Sequence, residues 1–397
     1  MHTSFQHATA IINVLEGSGH EAYFVGGSVR DHLMDNALGD IDIATSATPD
    51  QIQALFPKTV DVGAEHGTII VVTEHDSFEV TTFRTDGTYT DYRRPDEVIF
   101  VKSLSEDLKR RDFTMNAIAM TRTGEILDPF NGKVDIDRKL IRTVGEASER
   151  FHEDALRMFR AIRFSSQLGF SIDKETFLAI KKNASLMENV SVERKTVEME
   201  KLLLGKGINK AIPLLIDSGL FRYLPLLEEK REELGRMASF PFHELSGRIE
   251  LWTAFANLLE IFELEAFLNA WKLPKKVSKG VILNILTIQR FMQNGWNREL
   301  VYYSGGEACL ASHEILVLQG KDKPESFDTI QQISEALPIK GIKDIAANGN
   351  DLVEWRDQKR GKWISELLHD LEKEILEGKV RNEAGAIKEW VRSWQQK

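Results

Sequence analysis

Two groups of residues in this 397-residue chain have the types and spacing that chemistry needs. The first is GGSVRDHLMDNALGDID, residues 26–42, where a glycine pair precedes an arginine and the stretch ends on two aspartates one residue apart. If DIDIAT is a strand, its side chains alternate faces, so Asp40 and Asp42 share one side and Ile41 and Ile43 the other. The isoleucines then face a core. The aspartates, with Cα atoms roughly 6–7 Å apart, repel each other unless a cation neutralises them. Mg2+ suits that role, because it prefers oxygen ligands and commonly takes a few carboxylates plus substrate phosphates. Two such ions about 4 Å apart can activate an attacking hydroxyl and steady a departing oxygen in phosphoryl-type displacement. Taken alone, D-x-D also arises in solvated surface turns, so the glycines matter. Gly26 and Gly27 follow the apolar run AYFV, and Ser28 is placed to cap a helix starting near Val29. Amides at such a start attract anions, and Gly27 lets a phosphate approach closely. Arg30 adds a planar fork for phosphate oxygens. The competing account is a tight strand–helix turn with a surface arginine. Neither a G-K-[ST] loop nor G-x-G-x-x-G with a downstream ribose acid is present.

The second group is HEDALRMFRAIRF, residues 152–164. Its spacing predicts a helix with Asp154 and Arg157 side by side on adjacent turns. An ordinary surface ion pair, worth at most ~1 kcal/mol, would account for them. A sharper reading is chemical. Cytosine and adenine both present an amino donor beside a ring-nitrogen acceptor, which a carboxylate next to a guanidinium complements. Uracil and guanine reverse that order, at a penalty of a few kcal/mol in a closed pocket. Arg160 and Arg163 continue at steps of three, a pattern that by itself describes a solvated basic face.

The elements that must position these groups change character near residue 140. Before it, AYFVGG, DIDIAT, GTIIVVTE, FEVTTFR and EVIFV read as strands, with helical stretches at 8–16 and 49–56, an α/β or α+β unit. After it, strand signals nearly vanish, and residues 141–397 read as a string of helices without a fixed repeat. GKDKPES (320–326) and RDQKRGK (356–362) read as loops. DGTYTDYRRPDEV (86–98) is either a mobile surface loop or a lid beside an active site.

At this length two or more domains are expected. Composition is ordinary, 42% hydrophobic and 28% charged, and no apolar run approaches the ~18 residues of a membrane span. The start lacks the charged and apolar regions of a secretory leader, so none is expected. The single cysteine, Cys309, excludes intrachain disulfides and cysteine-based zinc sites, and makes a reducing cytoplasm the simplest address. A net charge of −10 argues against broad coating of nucleic acid. It leaves room for a local basic surface between Arg138 and Arg163, where Arg138, Lys139, Arg142, Arg150, Arg157, Arg160 and Arg163 outnumber the acids.

GGSVRD followed by GDIDIAT resembles the signature of the DNA polymerase beta-like nucleotidyltransferases. More narrowly, the chain resembles class II tRNA nucleotidyltransferases, the CCA-adding enzymes, and their relatives the bacterial poly(A) polymerases. FEVTTFR (78–84), EDLKRRDFTMNAIA (106–119), LDPFNG (127–132), RFHEDALRMFRAIRF (150–164) and SVERKTVEMEKLL (191–203) look like family blocks in family order. IKDIAANGNDLVEW and GKWISELL look similar to bacillus-type members. The resemblance implies an α+β chain in which a mixed-sheet nucleotidyltransferase head precedes all-helical neck, body and tail. The expected divisions are a head at 1–140, a neck with the nucleotide-selecting helix at 141–205, a body at 206–270 and a tRNA-binding tail at 271–397. It also implies attack by a tRNA 3′-hydroxyl on the α-phosphate of CTP or ATP. Asp40 and Asp42 would hold Mg2+, with Glu79, on a strand edge, a candidate third carboxylate. Gly27 and Arg30 would hold the triphosphate and Arg111 would contact the nucleotide. Asp112 would touch the ribose or hold Arg111 in place. The family's E-D-x-x-R role falls on Asp154 and Arg157, with Glu153 as buttress and Arg160 and Arg163 directed to the nucleotide.

Several activities share these blocks. VDVGAEHGTIIVV (60–72) is unlike the GRRFRLVHV-type block of poly(A) polymerases and favours addition to tRNA ends. DGTYTDYRRPDEV supplies the loop that CC-only enzymes lack, which leaves an A-only enzyme open beside full CCA addition. A non-catalytic RNA-binding relative has little use for two metal-binding aspartates. His369-Asp370 is an H-D pair without a second histidine cluster, read as a coincidence on a helix surface rather than a phosphohydrolase. The resemblance also leaves a homodimer open.

Overall fold

The computed structural model describes residues 3–74, 76–86 and 98–395, which form two compact units. The first comprises Met1–Ser239 with Ala270–Lys272, and the second Phe240–Asn269 with Leu273–Lys397.

In the first unit α1 (Thr3–Gly17), β1 (Ala22–Val25), α2 (Gly27–Leu33), β2 (Asp42–Thr45), α3 (Pro49–Leu55), β3 (Thr59–Gly63), β4 (Thr68–Val72) and β5 (Ser77–Thr82) come first. Then follow β6 (Arg84–Asp86), β7 (Val98–Phe100), α4 (Leu104–Lys109), β8 (Ala119–Met120), β9 (Ile126–Leu127) and α5 (Gly132–Asp137). A seven-stranded sheet has the order β3-β4-β5-β2-β1-β8-β9. It is mixed: β2 runs antiparallel to β1 and parallel to β5. Alternation builds it, since Phe24, Ile43 and Val80 are fully buried while Glu79 stands exposed between Phe78 and Val80. Phe5 of α1 meets Phe24 edge-on, with ring centroids 4.8 Å apart. Two local expectations are corrected. Ser28 lies inside α2, its hydroxyl donating to the Val25 carbonyl, and Gly26 occupies the cap position. Glu79 is not on an edge strand, because β5 lies between β4 and β2.

The helical remainder of this unit begins with β10 (Leu140–Ile141), α6 (Ala147–Glu153), α7 (Leu156–Leu168), β11 (Ser171–Ile172), α8 (Lys174–Asn183) and α9 (Val192–Leu203), and continues with α10 (Ile208–Asp217) and α11 (Arg231–Met237). It is not helical throughout: β10 and β11 pair in parallel, a two-residue ladder too short for periodicity to reveal. Helix α7 is buried on most sides, and α9 lies against it. Where they converge, Ser166 donates to the Leu202 carbonyl at 2.6 Å and its own carbonyl accepts from Gly207 N–H at 2.7 Å.

The second unit is helical: α12 (Arg248–Leu258), α13 (Leu264–Ala270), α14 (Lys275–Asn294), α15 (Arg298–Ser304), α16 (Gly306–Leu318), α17 (Ser326–Glu335), α18 (Gly349–Arg356), α19 (Trp363–Leu376) and α20 (Ala384–Ser393). One core gathers Trp252, Phe255 and Phe267; another gathers Leu352, Leu367, Leu371, Ile387 and Val391. His369 points outward from α19, and Asp370 accepts from the Trp394 indole. Cys309 is buried. Among the described residues no helix is long and apolar enough to cross a membrane.

The junction of α7 and α9 gives a test of packing. A Cβ on Gly205 would lie 2.2 Å from Ser166 Oγ and 2.5 Å from its carbonyl carbon. Gly205→Ala is expected to destabilise the first unit by about 2 kcal/mol through overpacking, read as a melting temperature lowered by several degrees. An unchanged melting temperature would contradict this account.

Candidate nucleotide and metal site

Asp42 opens β2, level with Val25 of β1 and with Glu79 of β5. Asp40 precedes the strand rather than lying within it, yet the alternation extends back: Ile41 and Ile43 are buried, Asp42 half-buried and Asp40 exposed. Burial pushes the Asp42 carboxyl up to about 6, and the neighbouring charges of Glu79 and Asp40 add to the rise against the pull of Arg111. The carboxylates thus repel more than the protein compensates, a deficit a divalent cation would relieve. Among the described residues no three His, Cys, Asp or Glu side chains converge to hold an ion unaided. That donor set fits an oxygen-seeking ion bound by one or two carboxylates and completed by water and substrate phosphates.

Between β1 and α2 the chain turns at Gly26, whose φ of 75° is left-handed. A side chain there would also crowd the cleft, since its Cβ would lie 3.1 Å from Arg111 Nη1 and 3.4 Å from Asp42 Oδ2. Glycine is needed on both counts. Arg30 is buried rather than a surface arginine. Its Nε and Nη2 donate to Asp31, both at 2.9 Å, and Nη1 donates to Asn116 Oδ1 at 2.8 Å.

Arg111 and Asp112 divide between two partners. Arg111 Nη2 donates to Asp107 at 3.2 Å, and Asp107 also takes Arg110 at 2.7 Å. The Arg111 Nε is buried with no partner among the described residues. Asp112 does not hold Arg111; it accepts Arg160 Nε and Nη2 at 2.9 and 2.7 Å and Asn116 Nδ2 at 3.0 Å. Burial alone would raise the Asp112 carboxyl, but the charge of Arg160 and these hydrogen bonds hold it down to about 2.

The pair expected to read the base is arranged differently from its helical expectation. Asp154 is off the helix, with φ −141° and ψ 102°, in the break between α6 and α7. Its carboxylate is gripped by Arg194 of α9, Nη1 to Oδ1 at 3.0 Å and Nη2 to Oδ2 at 2.6 Å, and accepts Leu156 N–H at 3.1 Å. Arg157 does not pair with it; Nη1 donates to Glu153 at 2.6 Å and Nη2 to the Arg110 carbonyl at 2.7 Å. Glu153 also takes Arg150 at 2.6 Å. Arg160 and Arg163 converge on Glu198 of α9, at 3.5 and 2.8 Å. Arg163 stacks 3.4 Å from the Phe164 ring centroid, and Arg30 and Arg160 flank the same ring at 5.3 and 5.4 Å. Much of the expected basic surface is therefore spent internally: Arg157 and Arg163 are buried, and Arg142 pairs with Asp135.

The residues that sequence reasoning missed are Asp107, Asn116, Arg194 and Glu198. Asp107 stands four before Arg111, a helical pair that spacing could have flagged. Nothing local ties Arg194 to Asp154 across forty residues. Of the loop DGTYTDYRRPDEV, residues 87–97 lie outside the described residues.

A glycine turn and paired carboxylates on a mixed sheet, followed by helices, define a nucleotidyltransferase with a helical extension. Residues 22–142 match the family model for the poly A polymerase head domain, 169–231 that for a probable RNA- and SrmB-binding site of polymerase A, and 243–391 that for tRNA nucleotidyltransferase domain 2 (putative). The chain is 48% identical to the CCA-adding enzyme of Geobacillus kaustophilus, over 98% of this chain and 97% of that one. It is also 48% identical to that of Bacillus subtilis, over 99% of each. The crystal structure of the Bacillus stearothermophilus CCA-adding enzyme in complex with CTP superposes with a TM-score of 0.93 at 43% identity, covering 99% of this chain and 98% of that one. The chain belongs to the CCA-adding enzyme family. Enzymes of this family depend on metal ions.

The Asp112–Arg160 pair predicts a pH effect. The folded carboxyl titrates near 2 and the unfolded one near 3.8, so between these values the unfolded chain binds more protons and stability rises with pH. The contribution, on the order of 2 kcal/mol, is complete above the unfolded value and is lost as pH falls through the folded one. The stability gap between wild type and Asp112→Asn, from denaturant titrations, should close as pH drops from about 4 to about 2. A gap independent of pH in that window would refute the assignment.

Proposed function

We propose that this protein adds C, C and A to the 3′ end of tRNA, taking CTP and ATP and releasing pyrophosphate without a nucleic-acid template. The observation that carries this reading is its likeness, over essentially its whole length, to an enzyme solved with CTP. Asp40 and Asp42 would hold Mg2+, which when bound neutralises phosphate charge and favours ionisation of the attacking hydroxyl. Glu79, level with Asp42, sets the local charge. The turn at Gly26 and Gly27 admits the triphosphate, and the unpartnered Arg111 Nε gives it a donor. Arg30, locked to Asp31 and Asn116, stiffens the start of α2 beneath that turn. Asp154 accepts from the amino group of cytosine or adenine, and Arg157 donates to the neighbouring ring nitrogen. Arg160, 30% exposed, faces the nucleotide, whereas buried Arg163 positions the wall through Glu198. In this reading residues 1–140 make the bond, 141–205 choose the base, 206–270 form the body and 271–397 bind tRNA. A reducing cytoplasm suits the lone buried thiol of Cys309.

The test offers tRNAs ending at the discriminator base, at C and at CC to the enzyme with CTP, ATP or both. Full addition to all three is expected, and incorporation of A alone, onto CC ends only, would make it an A-adding enzyme. Asp42→Ala should reduce incorporation by roughly 10²–10³-fold or more while leaving tRNA affinity intact; a loss of affinity with unchanged turnover would sink the metal-holding role.

Arg194 gives a second test. Replacing it in Arg194→Met removes two charge-assisted hydrogen bonds from the Asp154 carboxylate and frees it to rotate. The ratio of kcat/KM for CTP over UTP should fall about tenfold. An unchanged ratio with lower turnover would show that Arg194 only supports the fold.

A further inference from the structure

The second unit holds a cavity of about 740 Å³ between the start of α12 and helices α16 and α17. It presents Glu244, Glu250, Glu307 and Glu314, and no lysine or arginine is among the described residues that line it. Interleaved with these acids are apolar side chains, Leu310, Val317 and Leu318 of the same helix α16, and Phe327, which is 42% exposed.

Two of the polar groups are built in from behind. Glu314 accepts the Ser246 N–H and hydroxyl at 3.1 and 3.0 Å. Burial still raises its carboxyl above the usual range, with Glu250 adding to the rise. His313, only 6% exposed, lines the same cavity. Its Nδ1 lies 2.8 Å from Asp322, a carboxylate also fixed by the Trp296 indole and Ser326 hydroxyl. Nδ1 thus faces a carboxylate, and Nε2, the acceptor of a neutral imidazole, has no partner among the described residues.

The polar lining therefore consists of acceptors and negative charge, so a matching ligand must bring positive charge and several N–H donors. Among the described residues no three of these carboxylates converge to hold an ion without oxygens brought by a ligand. The apolar side chains call for methylenes, and the volume exceeds what one ammonium group fills. We propose that this cavity binds a linear aliphatic polyamine, its ammonium groups on the glutamates and His313 Nε2 and its methylenes along the apolar side chains that include Phe327.

Isothermal titration calorimetry of the full chain with spermidine, in millimolar Mg2+, tests this. One saturable site is expected. Glu244→Gln combined with Glu307→Gln should weaken it about tenfold. Phe327→Ser should weaken it several-fold, with the wild-type melting temperature kept in both variants. Hexaamminecobalt(III), which has the same charge without methylenes, should bind at least about tenfold more weakly. Equal affinity for the cobalt complex, or undiminished spermidine affinity in both variants, would overturn the proposal in favour of loose counter-ion attraction. Displacement of spermidine by a lower concentration of an arginine-rich peptide would overturn it in favour of a protein partner.

Discussion

The first unit depends on how it compensates buried negative charge. A carboxylate taken out of water must be given a counter-charge or it resists ionisation. Asp107, Asp112, Asp154 and Glu198 each receive at least one arginine at hydrogen-bond distance. Asp42 has Arg111 nearby, but burial and the charges of Glu79 and Asp40 push its carboxyl upward, whereas arginines hold Asp107 and Asp112 below the usual range. The fold thus closes its electrostatic account with arginines everywhere except on the strand that would bind metal. The exception marks the place where charge must come from outside.

The same arginines connect pieces of chain far apart in sequence. Arg160 ties α7 to Asp112, just beyond α4, and to Glu198 on α9. Arg157 reaches the Arg110 carbonyl. Arg194 ties α9 to the break before α7. Bidentate and forked guanidinium contacts fix direction as well as distance, so the Asp154 carboxylate is oriented by α9, forty residues further along the chain.

How much of this was legible in sequence follows from the range of each interaction. Alternation at Ile41 and Ile43 exposed the sheet face that carries Asp42, because strand periodicity is local. The glycine turn was visible too, although the cap was placed two residues late, at Ser28, when it fell to Gly26 with its positive φ. The helix through Arg157 was legible, whereas the break at Asp154 was not: nothing in E-D-A-L signals that α6 ends at Glu153 and α7 begins at Leu156. A serial helix reading also hid β10 and β11, whose two-residue strands exist only through each other. Arginines at steps of three looked like a wet surface because a sequence shows charge but not its partner. The partners lay on α9 and around α4.

Phe164 draws these threads together in a different way. Its ring is flanked by Arg30 beneath the glycine turn and by Arg160 and Arg163 of α7. A benzene ring carries no proton to lose and no charge for dissolved ions to screen. The ring thus joins α2 to α7 through contacts that need no titratable partner on its own side, while the ion pairs of the same arginines remain subject to acidity. One uncharged side chain therefore touches three cations that are otherwise anchored to different carboxylates, Asp31, Asp112 and Glu198.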